Sequence, residues 1–340
     1  MRPLGGSTLL ITGANGFLCS YFVDCVVEWN RRHPEARTRV IAVDNLLTGA
    51  ADRLAHLQGN PDISIVSHDI TKPLKLTESV DWVIHGASIA SPMVYRKFPL
   101  ETIDANVSGT RHMLDLATAK KSKGVVVMSS SEIYGDPDPA FIPTPEEYRG
   151  NVACMGPRAC YDESKRMSET LAWTYHRVHG LSVKLIRPFN VYGPGFRLDD
   201  QRVLPDLFTA VLDRKPIVML SDGRPSRSFC YVTDAIRGIL TVLVQGQGGE
   251  AYNVGNDEVE VSMGDLATRV SAVAAELMNC PASPIVYQTS QDADYLTDNP
   301  QRRCPDLKKL RSVGGWAPEV SLTDGLKRTL TYYRELGLGQ

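Results

Sequence analysis

The chain of 340 residues has little net charge, and this limits the partners that it is expected to attract. Lysine and arginine total 37 against 39 aspartate and glutamate residues, which leaves a formal net charge of −2 at neutral pH. Such a balance gives no broad electrostatic attraction for nucleic acid or for an anionic membrane. We therefore expect small molecules or protein as partners, with no nucleic acid and no membrane.

Paired cysteines and long apolar runs are also missing from the sequence. The seven cysteines form no CxxC pair and no metal-ligand spacing with histidine, so we predict no metal site and a reducing compartment. No apolar run reaches the roughly 18 residues that suggest a membrane-spanning helix. The apolar run in the N-terminal stretch MRPLGGSTLLIT is too short for a signal peptide. Together these absences favour a cytoplasmic protein.

The first half of the chain contains short, continuous apolar runs separated by amphipathic stretches. Such runs, rich in β-branched residues, are typical of buried strands in a parallel sheet that is covered by helices on both faces. We predict strands at 7–12, 39–44, 63–66, 81–86, 124–129 and 182–188. The pattern indicates an α/β fold, a Rossmann-type doubly wound parallel sheet.

The second half loses this rhythm, which indicates a smaller C-terminal lobe over the carboxyl ends of the strands. Proline and glycine clusters come first, followed by helical patterns near 233–246, 263–279 and 322–336. We predict a cofactor-binding domain from residues 1–191 and 229–262. The predicted substrate-binding lobe consists of residues 192–228 and 263–340.

The stretch TGANGFLCS (12–20) follows the first predicted strand and opens a helix. Gly13 and Gly16 suit a tight turn whose backbone N–H groups and helix N-terminus face a pyrophosphate. Asp44 closes the next strand, where a carboxylate accepts hydrogen bonds from the adenosine ribose and repels the extra phosphate of NADP. Cys19 stands where the third glycine of the fingerprint is usual. We predict an NAD site.

Tyr161 and Lys165 in YDESK lie four residues apart, and therefore on one face of a helix. A tyrosine with a pKa near 10 is a weak base at neutral pH. The lysine charge, together with the positive nicotinamide of the cofactor, is expected to stabilise the phenolate and lower that pKa. The alternative is an ordinary surface pair, which the dinucleotide fingerprint upstream disfavours.

At this point the chain resembles the extended short-chain dehydrogenase/reductase superfamily of nucleotide-sugar epimerases, dehydratases and decarboxylases. The resemblance covers nearly the whole chain and rests on motifs in the superfamily's order: TGANGFL, VDNLLTG, HGAS, NVSGT, SSSEIYG, YDESK, RPFNVYGP and SRSFCYVTDA. Within it the chain is most similar to the UDP-glucuronate decarboxylases. That likeness is carried by ASIASPMVY, SEIYGDP, GPRACYDESKR, DDQRVLPDLF, DNPQRRCPDLKK and GWAPEVSLTDGL.

The resemblance gives a role to the carboxylate in SSSEIYGDP (129–137). Epimerases have a small uncharged residue at the position of Glu132, and 4,6-dehydratases have an Asp–Glu pair, whereas this chain has Ser131–Glu132. The resemblance implies four steps: oxidation of the sugar at C4, loss of CO₂, protonation at C5 and return of the hydride from the cofactor to C4. The implied catalytic residues are Tyr161, Lys165, Glu132, Ser131 and Arg303.

The resemblance also implies the residues around the chemical centre, a UDP-sugar as the ligand, and a homodimer formed through the helices containing 104–121 and 161–179. The implied cofactor-binding residues are Gly13, Asn15, Gly16, Phe17, Leu18, Asp44, Asn45, Thr48, Gly49, Asp69, Ile70, Ala87, Ser88, Tyr161 and Lys165. The implied substrate-binding residues are Pro92, Tyr95, Ser130, Asn190, Arg202, Arg227 and Arg303.

Several positions depart from the decarboxylase pattern. Asp104 stands where a lysine is usual, at a position expected near the carboxylate end of the substrate. Ile89 replaces a proline, Gly86 a leucine, and Gly195–Phe196 a Pro-Arg pair. These departures leave alternatives open: a decarboxylase that releases part of the 4-keto pentose, a 4-epimerase or 4,6-dehydratase acting on another sugar, or a catalytically silent NAD sensor.

Overall fold

The structure, a computed structural model, describes residues 1–49, 52–292, 297 and 299–339. Its strands are β1 Thr8–Thr12, β2 Arg39–Asp44, β3 Ile63–Ser67, β4 Trp82–His85, β5 Gly124–Met128, β6 Val183–Pro188, β7 Val191–Tyr192, β8 Ile217–Met219, β9 Ser226–Ser228, β10 Cys230–Tyr231, β11 Ala251–Val254, β12 Glu260–Ser262, β13 Ile285–Tyr287 and β14 Arg302–Arg303.

The helices alternate with the strands through the first half of the chain and then dominate the second half. They are α1 Phe17–Arg32, α2 Pro92–Lys97, α3 Pro99–Asp104, α4 Thr110–Lys120, α5 Ala159–His179, α6 Val203–Leu212, α7 Val232–Gln245, α8 Met263–Met278, α9 Lys308–Ser312 and α10 Leu322–Glu335. A π-helical segment, Ala105–Gly109, joins α3 to α4, and a 3₁₀ turn, Ser131–Tyr134, follows β5.

The central element is a seven-stranded parallel sheet with the strand order β11-β6-β5-β4-β1-β2-β3. Strand β1 pairs with β2 on one side and with β4 on the other, so the direction of winding reverses at β1. In open sheets of this kind the ligand crevice lies beyond the carboxyl ends of the strands at this reversal. The predicted α/β doubly wound fold is confirmed.

Helices cover both faces of the sheet because successive side chains of a strand point to opposite faces. Leu9 and Ile11 of β1 belong to one buried apolar cluster, whereas Leu10 belongs to the other. The second cluster also contains Met113 of α4 and Ala172 of α5. Burial on both faces explains why these strands read as continuous apolar runs.

The six predicted strands are present with ends that differ by no more than one residue. The seventh, β11, was not predicted as a strand because AYNV (251–254) is only four residues long and includes an asparagine. The helices predicted in the second half correspond to α7, α8 and α10. Serine side chains cap two of them, since Ser262 accepts from the N–H of Asp265 and Ser321 from the N–H of Asp324.

The second half of the chain contributes small sheets and three mutually packed helices. Strands β12, β9 and β14 form one sheet, and β13 pairs with β8. Helices α6, α8 and α10 bury Phe208, Val270 and Leu330 in the same apolar cluster. Within the described part of the chain, no helix is both long and apolar enough to cross a membrane.

Candidate active site

A cavity of about 760 Å³ opens at the carboxyl ends of β1 and β4, between the sheet and the second half of the chain. It brings together residues that are far apart in the sequence. The residues predicted for the site that line this cavity are Gly13, Asn15, Gly16, Phe17, Leu18, Thr48, Gly49, Ser88, Pro92, Tyr95, Ser130, Ser131, Glu132, Tyr161, Lys165, Asn190, Arg202 and Arg303.

Six predicted residues, all described by the structure, do not line the cavity: Asp44, Asn45, Asp69, Ile70, Ala87 and Arg227. Three of them, Asp44, Asn45 and Asp69, accept hydrogen bonds from backbone N–H groups. Asn45 Oδ1 accepts from the N–H of Leu47, and Asp69 Oδ1 accepts from the N–H of Thr71. Their contacts with the cofactor therefore stay predictions.

The glycine turn after β1 has the shape that a dinucleotide needs. Gly13 has a φ of +69°, and a Cβ there would lie 2.8 Å from the backbone of Ala87. A Cβ on Gly16 would lie 2.9 Å from the carbonyl oxygen of Gly13. Helix α1 begins directly afterwards at Phe17, so its N-terminus faces the cavity. This glycine-lined turn fits a pyrophosphate held by backbone N–H groups.

Asp44 lies at the end of β2 and is already engaged by the glycine turn. One carboxylate oxygen accepts from the N–H of Asn15 at 2.9 Å, and the other accepts from the N–H of Leu46 at 2.8 Å. A carboxylate oxygen has further lone pairs for a ribose hydroxyl. Asp44 therefore both shapes the turn and places a negative charge beside it.

Cys19 and Gly86, two departures from the usual pattern, contact each other in the wall of the cavity. A Cβ on Gly86 would collide with Cys19 Sγ, so the sulfur occupies space that a side chain at position 86 would need. Burial, followed by the charge of Asp44, raises the pKa of the Cys19 thiol to about 12. The thiol is therefore neutral at physiological pH and contributes volume to the wall.

Tyr161 and Lys165 both face the cavity from the first turns of α5. Lys165 Nζ donates to the carbonyl oxygen of Met128 at 2.8 Å and lies 5.7 Å from the centre of the Tyr161 ring. The Tyr95 ring stacks on Tyr161 with 5.1 Å between ring centres. The predicted pairing on one helical face is thus present, supported by an aromatic stack.

The ionisation of this pair is governed by burial. Burial raises the pKa of Tyr161 to about 12, against the effect of a hydrogen bond with Ser130. Burial also lowers the pKa of Lys165 to about 8, which leaves its ammonium mostly charged at neutral pH. Burial therefore raises the pKa of the tyrosine among the protein's own groups, and the predicted lowering by Lys165 together with the nicotinamide charge stays a prediction.

Glu132 lies across the cavity on the 3₁₀ turn and is held by two arginines. Arg303 donates to both carboxylate oxygens, at 2.5 and 2.7 Å, and Arg158 donates to one of them. Burial alone would raise the pKa of Glu132, but the charges of Arg303 and Arg158 outweigh it and hold that pKa well below its usual range. Glu132 is therefore a carboxylate at physiological pH.

Arg158 is a site residue that sequence reasoning missed. It stands three positions before Tyr161, in the GPRACYDESK stretch, and its guanidinium lines the cavity. The available signal was weak, because an arginine just before a helix is commonly a solvated residue. Its side chain is instead mostly buried, and it pairs with Glu132 and approaches Asp162 within 3.7 Å.

Arg227 lies behind Arg303 and braces the loop that carries it. Its guanidinium donates to the carbonyl oxygens of Ser226 at 2.7 Å and of Gln301 at 3.3 Å, and also to that of Pro300 at 2.5 Å. Burial, and next the charge of Arg303, lower the pKa of Arg227 to about 9. Its predicted contact with the substrate stays a prediction.

Arg202, predicted to hold the diphosphate or nucleotide, and Asn190, predicted to contact the substrate near the nicotinamide, also line the cavity. Arg202 forms an ion pair with Asp200, and its guanidinium lies 4.3 Å from the centre of the Phe196 ring. Asn190, at a φ of +39°, donates from its side chain to the carbonyl oxygen of Ser228 at 2.9 Å. Cationic groups prevail around the cavity: among the described residues that line it, seven are lysine or arginine and three are acidic.

The other departures fall into two groups. Phe196 and Gly195 line the cavity, and Ile89 is buried with Tyr95 and Tyr161. Asp104 does not line it, since this residue is exposed at the end of α3. The expectation that Asp104 lies near the substrate's carboxylate end is therefore wrong; the helical segments 99–109 turn it to the outside.

Comparison with known proteins supports the geometry. The model of the NAD dependent epimerase/dehydratase family matches residues 9–255. The chain belongs to this family. The match includes the glycine turn, Glu132, Tyr161 and Lys165, and the predicted cofactor, NAD, is confirmed as the cofactor of the family.

Several relatives are similar over almost the whole of this NAD dependent epimerase/dehydratase. UDP-glucuronic acid decarboxylase 5 from Arabidopsis thaliana is 38% identical, covering 94% of this chain and 86% of the relative. UDP-glucuronic acid decarboxylase 1 from Xenopus tropicalis is 34% identical, covering 96% and 72%. The crystal structure of a dTDP-glucose 4,6-dehydratase from Streptomyces venezuelae with NAD and TYD bound has a TM-score of 0.80 at 27% identity, covering 96% of this chain and 97% of that one.

Proposed function

We propose that this enzyme converts UDP-glucuronate to UDP-xylose, with NAD as a cofactor that ends each cycle as it began. The observation that carries the proposal is the ion pair of Glu132 with Arg303, placed across one cavity from Tyr161. The similarity to UDP-glucuronic acid decarboxylases, one of them 38% identical, supports the same reaction.

The charge of the cavity supports an anionic sugar. Cationic residues prevail in its lining, and Arg303 Nε is buried with no hydrogen-bond partner among the described residues. A diphosphate and a uronate carboxylate would both offer acceptors to these guanidinium groups. A neutral sugar would leave the positive charge near Glu132 only partly compensated, which is costly in a buried site.

Tyr161 acts as the base that removes the proton from the C4 hydroxyl. NAD, held by the glycine turn and Asp44, would supply the hydride acceptor for C4 and the hydride for the later reduction. Lys165, charged at neutral pH, keeps a positive group 5.7 Å from the phenol ring and so favours the phenolate relative to an uncharged neighbour. The positive nicotinamide of bound NAD would add to this stabilisation of the phenolate.

The ketone formed at C4 makes the C6 carboxylate a β-keto acid. CO₂ leaves, and its bonding electrons pass towards the C4 oxygen, where Tyr161 and Ser131 offer hydrogen bonds to the enolate. Glu132, ionised at rest, takes up a proton from solvent and passes it, directly or through a water, to C5 of the enolate, while Arg303 supplies positive charge beside the leaving carboxylate. Protonation at C5 and reduction at C4 complete the cycle.

Other residues are proposed to bind rather than to react. Asp44 would accept from the adenosine ribose, and Asn45, Asp69, Ile70 and Ala87 would also contact the cofactor. Pro92, Tyr95, Ser130, Asn190 and Arg202 would hold the nucleotide sugar. Residues 1–191 with 229–262 would form the cofactor domain, and 192–228 with 263–340 the substrate lobe.

We also propose a cytoplasmic homodimer that pairs through α4 and α5. Three apolar side chains are exposed on α5: Met167, Trp173 and Val178. Large exposed apolar groups along one helix are typical of an interface. All seven cysteines are free thiols, which suits a reducing compartment. Light scattering after size exclusion should give twice the chain mass, and Trp173→Glu should lower it.

The reaction is tested by incubating purified protein with UDP-glucuronate and identifying the products by mass. The expected product is lighter by one CO₂, with no net change of NAD. A product of unchanged mass would indicate a 4-epimerase, and a product lighter by a further two hydrogens, with NADH formed, would indicate release of the 4-keto pentose. Tyr161→Phe is the control and should give none of these.

A further inference from the structure

The 3₁₀ turn that carries Glu132 also carries Tyr134, whose side chain points away from the cavity. Tyr134 is 1% exposed, yet its hydroxyl has two partners. It donates to Asn253 Oδ1 at 2.8 Å and accepts from Arg187 Nη1 at 2.7 Å. The mechanism above uses none of these three residues.

Asn253 connects the turn to a distant loop. It lies on β11, is fully buried, and its Nδ2 donates to the carbonyl oxygens of Thr144 at 2.9 Å and of Asp306 at 3.1 Å. Thr144 in turn donates its N–H to the carbonyl oxygen of Cys304 at 2.8 Å and accepts from the N–H of Asp306 at 2.9 Å. The backbone directly after Arg303 is therefore tied to the same asparagine.

These contacts form a closed path, because the ion pair between Glu132 and Arg303 joins its two ends. We propose that Tyr134 is a positioning residue for decarboxylation, which fixes the Glu132–Arg303 pair through the circuit Glu132, Tyr134, Asn253, Thr144 and Arg303. Every link is a short covalent stretch or a hydrogen bond within 2.5–2.9 Å. The inference rests on the proposed function, because it assigns the circuit to the steps after C4 oxidation.

Physical reasons favour Tyr134 as the sensitive link. Glu132 and Arg303 come from separate parts of the chain, so only tertiary contacts set their separation. A phenylalanine at position 134 would fill the same space but leave Asn253 Oδ1 without its donor, in a site that water does not reach. A buried polar group left unpaired costs about 1–3 kcal/mol, enough to favour a shift of Asn253 and of the loop it holds.

Arg187 should confine the effect of the Tyr134 substitution to the loop that Asn253 holds. Its guanidinium also holds Glu169 on α5, at 2.8 and 2.6 Å, and the carbonyl oxygen of Glu146 at 2.8 Å. Loss of the Tyr134 hydroxyl therefore leaves α5, with Tyr161 and Lys165, anchored. Oxidation and decarboxylation should respond differently.

The test compares Tyr134→Phe with Tyr148→Phe as a matched control. Tyr148 packs in the same aromatic cluster, but among the described residues its hydroxyl has one partner, the N–H of Asp138 near the surface, from which it accepts. In single turnover with UDP-glucuronate, Tyr134→Phe should slow CO₂ release about tenfold while slowing NADH formation less than about twofold. Tyr148→Phe should change neither. Equal slowing of both steps by Tyr134→Phe, or no slowing, would overturn the proposal.

A second measurement does not need turnover. Amide hydrogen exchange of the segment 299–308 should be faster in Tyr134→Phe than in wild type and unchanged in Tyr148→Phe; unchanged exchange in Tyr134→Phe would contradict the circuit. If wild type releases no CO₂, the proposed function fails, and the exchange data still decide whether Tyr134 holds the loop.

If Tyr134→Phe does not fold, Asn253→Ser replaces it in the test, because it breaks the next link of the circuit. This variant must then slow CO₂ release much more than NADH formation.

Discussion

Two pairs of side chains face the cavity from opposite sides and are built in different ways. Tyr161 and Lys165 lie one turn apart on α5, so a single helix sets their separation. Glu132 and Arg303 are 171 residues apart, and a 3₁₀ turn, a loop and buried hydrogen bonds bring them together. In the proposed mechanism, oxidation at C4 therefore depends on local structure, whereas decarboxylation depends on tertiary assembly. The two half-reactions should be separable by mutation.

The largest effect should come from the local pair. Tyr161→Phe removes the oxygen that takes the C4 proton, so steady-state turnover should fall by at least about 10²-fold, the usual contribution of a general base. NAD affinity, measured by titration of cofactor-stripped protein, should stay nearly unchanged. Lys165→Ala should lose turnover and also bind NAD more weakly. Retention of more than a tenth of the activity by Tyr161→Phe would remove its role as the base.

A smaller effect, on the pH profile, should come from the second pair. In wild type the pKa of Glu132 is held well below its usual range, so its ionisation should not limit kcat above about pH 5. Arg158→Gln removes one stabilising charge, which raises that pKa, so the loss of activity on acidification should begin at higher pH. Arg177→Gln, which changes an exposed arginine on α5, is the control. An acidic limb that does not move would mean that Arg158 does not hold Glu132 ionised.

The preference for NAD over NADP tests the role of Asp44 in the predicted cofactor site. The carboxylate of Asp44 should repel the additional phosphate of NADP, giving NAD at least about tenfold tighter binding, or ~1.4 kcal/mol. Asp44→Asn removes the charge and keeps only one acceptor oxygen for the N–H groups of Asn15 and Leu46, which two separate carboxylate oxygens accept in wild type, so the preference for NAD over NADP should narrow. Equal or tighter binding of NADP by wild type in a calorimetric titration would refute this role.

The smallest effect concerns Cys19 and Gly86 in the cavity wall, where the Cys19 sulfur fills the space that a side chain at position 86 would need. Gly86→Leu alone should clash with the sulfur and lower both the thermal midpoint and NAD affinity, and Cys19→Gly alone should leave a void. The double variant should recover much of the loss, with a coupling energy of about 0.5–3 kcal/mol for residues in contact. Additive effects of the two changes would show that the positions are independent.

The sequence predicted the elements whose signals are local. Continuous apolar runs marked six of the seven central strands, and the glycine turn and the Tyr161–Lys165 spacing marked the cofactor side. The seventh strand, β11, was missed because it is four residues long and carries Asn253. The side chain of this asparagine makes hydrogen bonds to loops that are distant in the sequence.

The second pair could be found only through family resemblance, since nothing local links Glu132 with Arg303. Arg158 was missed for the same reason: its partner, Glu132, is 26 residues away. The effect of burial, which raises the pKa of Tyr161, was not predicted because it depends on the folded cavity. Asp104 was misplaced because the outward turn of α3 is a property of the packed helices.

The separability of the half-reactions is tested most directly by Glu132→Gln in single turnover with UDP-glucuronate. Glutamine keeps the size of the side chain and can accept a hydrogen bond from Arg303, but it cannot take up a proton. Tyr161 and Lys165 are untouched, so NADH absorbance should rise and persist, while CO₂ and UDP-xylose appear at least about 10²-fold more slowly than in wild type. Normal CO₂ release by Glu132→Gln would show that Glu132 only braces its turn, and would contradict the account.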